Sequence, residues 1–410
     1  MNQPFTLGVN YWPRRKAMYW WSNFDAAEVE EEFAIIADIG MNVVRFFLLW
    51  DDWQPTPDTV SKDCLKNLEK VLDIAEANNL GIDLTFFTGH MSGPNWSPGW
   101  MLDSNGNFPA RHVRQIVSGG EIVPSAYRNQ FNDPMVIEAE KLLLTTVVTA
   151  MKDHPAIWMW NLGNEPDLFA WPSDPQNGTS WTRDMVSLIK DIDPNRNHPV
   201  TCGLHAASLN EDNGLHINQV FQETDVAVMH SYPMYTPVAR HNLDPDYVPF
   251  TCALVSALCG KPTLMEEWGG CTVGPGEESQ VWSWTAYGEP KEQFMASEQD
   301  LADYVEAVLP KLVEVGATGS LLWCYADYIE DLWEKPPCKE SKHERFFGLV
   351  RPDGTLKPHA EVIRKFAATN PTVQPAKRTV DLGIEPEAYY DSPWEHLQRL
   401  YGEYIEKYES

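Results

Sequence analysis

The stretch that decides the fold is residues 156–167, which read AIWMWNLGNEPD. It begins with a mostly apolar run that ends at Asn161, and a short turn-like sequence then leads to Asn164 and Glu165. An apolar run bounded by turn residues is typical of a strand buried on both faces, as in a parallel sheet covered by helices. The stretch therefore predicts a central strand that carries two strongly polar side chains at its end.

Glu165 is the first candidate functional residue, because the strand would hold its carboxyl group at the rim of an apolar core. Pro166 ends the strand and favours an extended backbone at Glu165. A carboxyl group in such a place is expected to have a raised pKa and therefore to act as a proton donor. The alternative is that Glu165 simply pairs with a surface arginine or lysine.

Apolar runs alternate with segments of helical periodicity along the rest of the chain. The eight predicted strands are 7–11, 42–50, 82–87, 156–161, 199–204, 226–229, 262–266 and 320–325. Strands separated by helices are typical of a (β/α)8 barrel. We therefore predict an α/β fold, a (β/α)8 TIM barrel with long strand-to-helix loops. Its weakest part is residues 205–224, where the helical pattern is poor.

The two ends of this predicted barrel carry further expectations. Asp25 is expected to cap the first helix, with Glu28 closing a capping box. Residues 1–368 are predicted to form the catalytic barrel, and residues 369–410 a short C-terminal helical extension packed on it. In that extension four residues recur at helical spacing, namely Leu397, Leu400, Tyr401 and Tyr404.

The composition excludes several classes of partner. The chain has 31 basic and 59 acidic residues, a formal net charge of −28. Such a charge repels nucleic acid and anionic membranes, so we expect neither as a partner. No apolar run is long enough to span a membrane. The aromatic share of 12%, with 17 tryptophans, suits a cleft that stacks on flat, apolar ring faces.

The cysteines and the N-terminus bear on location. Seven scattered cysteines without a CxxC pair indicate reduced thiols and argue against a disulfide framework or a zinc site. The opening sequence MNQPFTLGVNYW enters a strand without a cleavable leader. We therefore expect a cytoplasmic protein, with a trimmed secreted protein as the alternative. The sequence makes no prediction of oligomeric state.

The candidate site lies where the strands end, because barrels of this kind place the active site at the carboxyl ends of their strands. The fourth and seventh strands would deliver carboxylates that could face each other, as glycoside hydrolysis requires. No catalytic Ser-His-Asp order, phosphate loop, GxGxxG or metal-ligand cluster competes with this pair, so no cofactor and no metal is expected. The side chains at these ends are Arg45, His90, Asn164, Glu165, His230, Tyr232, Glu266, Glu267 and Trp323.

These motifs resemble a known family. Asn-Glu-Pro after the fourth strand and Glu-Glu-Trp-Gly after the seventh are similar to those of clan A retaining β-glycosidases. The match covers residues 5–368, and the segment FGLVRPDGTLKPHAEVIRKFA is similar to the last strand-to-helix segment of the same family. Eight residues in strand order together resemble glycoside hydrolase family 5, namely Arg45, His90, Asn164, Glu165, His230, Tyr232, Glu267 and Trp323.

The resemblance implies a role for each carboxylate. Glu165 would be the general acid/base and Glu267 the nucleophile. Glu267 is preferred to Glu266 because the family pattern places the nucleophile directly before the aromatic-glycine pair. In addition, alternation along a strand should turn only one of two adjacent side chains towards the barrel axis.

The other matched residues would bind the substrate or support the pair. Arg45 and Tyr232 would hold Glu267 ionised. Asn164 would bind the sugar 2-hydroxyl, and Trp323 would form an apolar floor under the sugar. His90 and His230 complete the substrate-binding set, although His230 alone would more often be a satisfied core histidine.

The resemblance implies a retaining β-glycoside hydrolase that acts on an oligosaccharide or β-glycoside by double displacement. We expect exo action on β-mannosides or β-1,4-mannooligosaccharides, because two long loops, 12–24 and 88–132, should close the cleft into a pocket. About half of the tryptophans in the predicted mouth loops should merely pack; these are Trp12, Trp20, Trp21, Trp96, Trp100, Trp282 and Trp284. The alternatives are a β-glucosidase, an endo-β-1,4-glucanase or mannanase, and a non-catalytic carbohydrate-binding barrel.

Overall fold

A computed structural model describes residues 3–103 and 115–409 of the 410-residue chain. The predicted (β/α)8 barrel is confirmed, with eight parallel strands near their predicted positions. Each strand lies beside its neighbours in chain order, and a parallel bridge between His205 and His230 links the two edge strands. The strands are β1 (Thr6–Asn10), β2 (Val43–Leu49), β3 (Gly81–Thr88), β4 (Ile157–Asn164), β5 (Val200–Gly203), β6 (Ala227–His230), β7 (Thr263–Gly269) and β8 (Gly319–Trp323).

These strands form because their residues can be buried on both faces. Every residue of β2 and β7 is buried, including the charged ones. Near-continuous apolar sequence is what a parallel sheet covered by helices requires. β4 extends three residues beyond the predicted end at Asn161, through Leu162 and Gly163 to Asn164. The strand itself therefore delivers Asn164 to the barrel mouth.

Eight helices surround the barrel in the part of the chain that the structure describes. They are α1 (Ala26–Ile39), α2 (Lys62–Ala77), α3 (Pro134–Met151), α4 (Pro175–Ile192), α5 (Ile217–Glu223), α6 (Tyr247–Cys259), α7 (Glu298–Glu314) and α8 (Pro358–Ala368). The weak pattern between β5 and β6 has a simple cause, since α5 has only seven residues. Shorter helices lie at Trp50–Trp53, Pro166–Phe169 and Ala207–Asn210. None of the described helices is both long and apolar enough to cross a membrane.

The cap of α1 is partly as predicted. Asp25 accepts a hydrogen bond from the backbone N–H of Ala27 at 3.1 Å. The prediction of a capping box is wrong, because Glu28 is buried and accepts hydrogen bonds from the backbone N–H of Arg15, at 3.0 Å, and from Lys16. Glu28 therefore fixes the loop after β1 and does not close the cap.

Two strand-to-helix loops carry secondary structure of their own. The loop after β3 contains short strands at Asn95–Trp96, Ile116–Ser118 and Glu121–Val123, and residues 104–114 of this predicted loop lie outside the described part. The loop after β7 forms an antiparallel hairpin of Gln280–Ala286 and Glu289–Met295. Both loops stand at the carboxyl ends of the strands.

The chain after α8 returns across the outside of the barrel and ends in helix α9 (Pro393–Tyr408). The four apolar positions singled out in the sequence are buried there. The ring of Tyr401 lies 4.9 Å from that of Phe250 on α6, and its hydroxyl donates to Asp244 at 2.5 Å. The seven cysteines are all free and buried.

Candidate active site

A cavity of about 650 Å³ opens at the carboxyl ends of the strands, within the range of small-molecule sites. Two of the candidates lie directly beneath it, Arg45 and His230, and both are fully buried. The fold therefore brings together all eight residues singled out by the sequence motifs. The six that line the cavity itself are His90, Asn164, Glu165, Tyr232, Glu267 and Trp323.

The two carboxylates face each other across the cavity floor. One oxygen of Glu165, one oxygen of Glu267 and a ring nitrogen of His230 all lie within 4.8 Å of one another. Inverting glycosidases hold their carboxyl groups about 6.5–9.5 Å apart to admit a water, whereas retaining enzymes hold them about 5–5.5 Å apart. The spacing fits the second geometry.

Glu267 is held by two donors. Tyr232 donates to one oxygen at 2.7 Å, and Arg45 donates to the other at 3.1 Å. Both contacts favour the ionised form of Glu267 over the protonated form. Burial raises the pKa of Glu267 to about 7, although the charges of His230 and Arg45 lower it. Glu267 is therefore partly ionised at neutral pH, and its ionised fraction rises with pH.

Glu165 has a backbone that the sequence does not predict. Its φ of 48° and ψ of 52° are left-handed and not extended. Pro166 disfavours only the right-handed helical region before it, and the Glu165 N–H donates to the Gly203 carbonyl at 2.8 Å. A left-handed residue with a side chain costs about 1–2 kcal/mol. The hydrogen bond to Gly203 helps to maintain this conformation, which places the carboxyl group at the floor of the cavity.

The expectation of a raised pKa at Glu165 is wrong. Burial alone would raise that pKa, but the positive charges of His205 and His230 outweigh burial and lower it. Burial lowers the pKa of His230, whereas the carboxylate of Glu267 and hydrogen bonds to two other carboxylates raise it to about 10. His230 Nδ1 lies 3.0 Å from Glu165, so the pair shares one proton whose location belongs to both groups.

The position of Glu266 contradicts the expectation that only one of the two adjacent glutamates faces the barrel axis. A bulge interrupts β7 after Met265, and both adjacent glutamates therefore face the barrel interior. Glu266 is completely buried and accepts a hydrogen bond from His230 Nε2 at 2.9 Å, while Glu267 lies on the cavity wall. The choice of Glu267 as the cavity residue agrees with its position, but the alternation argument for it is wrong.

Arg45 and Asn164 tie the strands together beneath the cavity. Arg45 donates to the Asn164 side-chain oxygen at 3.0 Å and to Thr85 at 3.0 Å. The Asn164 amide donates to the His90 carbonyl at 2.9 Å, and His90 Nε2 lies 3.7 Å from Glu165. The guanidinium group of Arg45 thus links β2 to β3, β4 and β7.

The structure adds residues that the sequence did not reveal. Glu344, in the 3₁₀ segment Lys342–Phe346 after β8, lines the cavity and is 8% exposed. Burial, and with it the charge of Glu267, raises the pKa of Glu344 to about 8. Ser92 and His343 line the same wall. The sequence KHERFF around His343 and Glu344 has no local feature that marks a cavity.

The loops that shape the cavity differ in part from those expected. The loop of residues 12–24 packs into the core, where Trp12 stacks on Phe47 at 5.1 Å. The loop after β3 does reach the cavity. The other walls come from residues 205–211 after β5, the β7 hairpin and residues 340–347. Trp284 joins the last two by donating to the Glu340 carbonyl at 2.7 Å. Among the seven mouth tryptophans, it alone lines the cavity described here.

The chemistry of the floor does not suit a metal ion. Glu165, His230 and Glu267 are close enough to share a cation, but Arg45 and Tyr232 already donate to both oxygens of Glu267. The positive guanidinium would oppose a second cation at the same carboxylate. What the arrangement can do is hold a sugar between a proton donor and a nucleophile.

Comparison with protein families agrees with this geometry. A family model described as cellulase (glycosyl hydrolase family 5) matches residues 6–305. Probable mannan endo-1,4-beta-mannosidase F of Aspergillus flavus is 24% identical over 272 residues, which is 59% of this chain and 53% of that protein. Mannan endo-1,4-beta-mannosidase 3 of Oryza sativa is 30% identical over 192 residues, 43% of this chain and 37% of that protein. The chain spans about half the length of these curated relatives, or less.

Solved structures share the whole barrel. Exo-beta-1,4-mannosidase Op5Man5 from Opitutaceae bacterium strain TAV5 is similar with a TM-score of 0.71 and 25% identity, over 90% of this chain and 60% of that one. A GH5_18 protein from Streptomyces cattleya, solved with GlcNAc, has a TM-score of 0.76 and 20% identity, over 98% of this chain and 92% of that one. At that identity the second comparison supports the fold alone.

Proposed function

The chain belongs to glycoside hydrolase family 5, and from that membership we propose that it is a retaining β-glycosidase that removes terminal β-mannosyl units from β-mannosides or β-1,4-mannooligosaccharides. The observation that carries the proposal is the approach of the Glu165 and Glu267 oxygens to within 4.8 Å. That spacing is closer to the separation of about 5–5.5 Å in retaining enzymes than to the separation of about 6.5–9.5 Å that admits a water, and it supports direct attack by the carboxylate.

In the first step Glu267 attacks the anomeric carbon, and the bond to the leaving oxygen breaks. The proton shared by Glu165 and His230 goes to that oxygen through Glu165. In the second step Glu165 takes a proton from water, which attacks the same carbon and releases Glu267. Arg45 and Tyr232 stabilise Glu267 whenever it is negative, because both donate to it.

Two cavity residues would hold the reacting sugar. Asn164 is fixed by Arg45 and by the His90 carbonyl, and it would bind the 2-hydroxyl, a contact that strengthens as the oxocarbenium-like transition state forms. Trp323 would supply the apolar floor. Both positions follow from the ends of β4 and β8.

A polar wall supports recognition of the remaining hydroxyls. The ring nitrogen Nδ1 of His343 is buried without a hydrogen-bond partner within the described chain. Glu344 follows it in the sequence and is buried as well, and Ser92 lies on the same wall. Buried polar groups normally have partners, and a sugar hydroxyl would supply one to Nδ1 of His343. Because Glu344 lies on the same cavity wall, we also include it among the residues that bind the terminal sugar.

Two observations favour exo action on mannosides. The β7 hairpin and residues 340–347 close one side of the cavity, which limits the number of sugars beyond the cleaved bond. The similar protein of 25% identity is named an exo-beta-1,4-mannosidase, and the curated relatives are named mannan endo-mannosidases. Endo action on mannan is accordingly the second candidate, and a β-glucosidase or endoglucanase with the same pair is the third.

The test is a time course on mannohexaose and cellohexaose, resolved by chromatography. The proposal predicts that mannose and mannopentaose are the only early products and that cellohexaose is cleaved far more slowly. Early fragments of two to four mannose units would instead establish endo action. Cleavage of cellohexaose alone would contradict mannoside specificity.

Location is a separate proposal. Seven buried cysteines without a disulfide are typical of a reducing compartment, so we propose that the enzyme acts in the cytoplasm on imported oligosaccharides. Cell fractionation with an activity assay is the test. Activity recovered outside the cytoplasmic fraction would contradict this proposal without affecting the catalytic one.

A further inference from the structure

His230 links the cavity to a carboxylate that never reaches it. Its Nδ1 lies 3.0 Å from Glu165, and its Nε2 lies 2.9 Å from Glu266. Glu266 is completely buried and is not among the residues that line the cavity. A carboxylate behind a histidine is the arrangement that fixes which ring nitrogen carries a proton.

We propose that Glu266 is a positioning residue that anchors the Nε2 proton of His230, so that a second, transferable proton can pass between Nδ1 and Glu165. This inference rests on the proposed function, in which Glu165 is the proton donor. It assigns no contact between Glu266 and the sugar. Glu266 would act on the reaction only through His230.

The hydrogen bonds around Glu266 require it to be an acceptor. The Asn161 amide donates to one oxygen of Glu266 at 3.0 Å. The side-chain amide of Asn161 cannot be flipped, because its oxygen accepts hydrogen bonds from the backbone N–H groups of Gly163, at 3.3 Å, and Gly203, at 3.1 Å. Arg45 Nη2 lies 3.6 Å from the second oxygen of Glu266. Burial opposes the charge on Glu266, but the positive charge of Arg45 keeps it ionised, so the second oxygen accepts the N–H of His230.

The proton count then follows. With Nε2–H anchored on Glu266, His230 and Glu165 together can hold one more proton along the 3.0 Å contact at Nδ1. That proton can move to Glu165 and leave a neutral imidazole. If Nε2 instead had to accept a hydrogen bond, Nδ1–H would be the only proton on the ring, and its transfer would leave an unstable imidazolate. His230 could then not return a proton to Glu165.

The electrostatic surroundings also favour an ionised Glu266 and a protonated His230. Burial, and next the charge of Glu266, raises the pKa of Asp83, so Asp83 is a neutral neighbour. Hydrogen bonds to Glu165 and Glu266 contribute to the raised pKa of His230. The charged and titratable groups that face this cluster are Arg45, Asp83, His90, Glu165, Asp167, Cys202, His205, Tyr232 and Glu267.

Glu266→Gln is the decisive variant, because it keeps the shape and reverses one hydrogen bond. The fixed Asn161 amide forces the new NH2 group towards His230, which must then accept at Nε2. We expect kcat/KM for a β-mannoside with a poor alkyl leaving group to fall about 10²-fold, the scale of lost general acid catalysis. A dinitrophenyl β-mannoside needs no proton and should lose less than about 3-fold.

The matched control is the exchanged pair Asn161→Asp with Glu266→Gln. The new carboxylate at position 161 can accept from both glycines and from the new amide at position 266. The amide oxygen at position 266 then faces His230, as the carboxylate oxygen does in the wild type. This double variant has the net charge of the wild type and should recover most of the activity on the alkyl mannoside. Thermal melting of all variants establishes that they are folded.

The pH dependence gives a second readout. Loss of the Glu266 charge lowers the pKa of the shared proton, so the alkaline limb of kcat/KM in Glu266→Gln should move to lower pH. Equal losses on both substrates, an unmoved alkaline limb, or a double variant no better than the single one would overturn the inference. A wild type that hydrolyses neither mannoside would instead refute the proposed function.

Discussion

One carboxylate oxygen of Glu165 lies within 4.8 Å of one of Glu267, with a ring nitrogen of His230 inside the same distance of both. Two such groups in one buried site cannot both lose their protons easily. The pair is therefore a coupled system, in which Arg45 and Tyr232 favour the charge on Glu267 and His230 holds the proton near Glu165. That division of charge is what double displacement requires.

Removal of the nucleophile should be severe and chemically reversible. In Glu267→Ala we expect kcat to fall by about 10⁴-fold or more, the scale on which loss of a nucleophile acts. The space left on the α face should admit azide, which would restore part of the activity on a dinitrophenyl β-mannoside. Mass spectrometry and NMR should identify the product as the α-glycosyl azide. A β-azide, or no rescue, would remove Glu267 from this role.

The acid limb of the pH profile should belong to Glu267. Its pKa of about 7 means that kcat/KM rises with pH through neutrality, since the nucleophile must be ionised. The Tyr232 hydrogen bond lowers that pKa, so Tyr232→Phe should move the acid limb to higher pH.

Tyr235→Phe is the control for this shift, because Tyr235 lines the same cavity and Glu267 is held by Tyr232 and Arg45 instead. Its acid limb should stay in place in a pH–rate series on an aryl β-mannoside. An acid limb in Tyr232→Phe at the wild-type pH, or below it, would show that Glu267 is not the titrating group.

The strand positions and the motif residues could be predicted because both depend on local sequence. Apolar runs identify strands wherever both faces are buried, and the eight site residues follow these strands in order. The left-handed backbone at Glu165 could not be predicted from local sequence, since it depends on a hydrogen bond to Gly203. The inward turn of Glu266 depends on a bulge that breaks the alternation on which the prediction relied.

Residues of the cavity wall that are distant in the sequence could not be predicted either. Glu344 lies far from Glu267 in the sequence and reaches the cavity only through the path of the chain after β8. The tryptophans of residues 12–24 illustrate the reverse case. They look like a sugar platform in the sequence, yet they are buried under the barrel mouth, because large aromatic rings stabilise a core as readily as a cleft.

Glu344 should contribute to binding of the terminal sugar. With its pKa raised to about 8, Glu344 is mostly protonated at neutral pH. A neutral hydrogen bond is worth about 0.5–1.5 kcal/mol, so Glu344→Ala should lower kcat/KM on β-mannosides about 2- to 10-fold. Monodeoxy aryl mannosides sharpen the test, because the wild type should discriminate at one hydroxyl and the variant should not. Glu289→Ala, which removes an exposed carboxylate at the cavity rim, is the control. Equal effects of the two variants would contradict a specific contact.

The C-terminal helix should stabilise the barrel without affecting catalysis. Tyr401 packs on Phe250 and donates to Asp244, so Tyr401→Ala should lower the free energy of unfolding by about 3–5 kcal/mol, as for other buried aromatic residues. Tyr408→Ala on the same helix removes a half-buried ring and should cost much less. Chemical denaturation with kcat measured alongside tests both. A similar loss in the two variants would contradict the packing role of Tyr401.

The stereochemistry of the first product tests the central claim most directly. A ¹H NMR time course on an aryl β-mannoside, begun within the first minutes and before mutarotation, reports the anomer that leaves the enzyme. Attack by Glu267 followed by attack of water predicts that β-mannose appears first and then equilibrates with the α anomer. Initial release of α-mannose would show a single displacement and contradict the account.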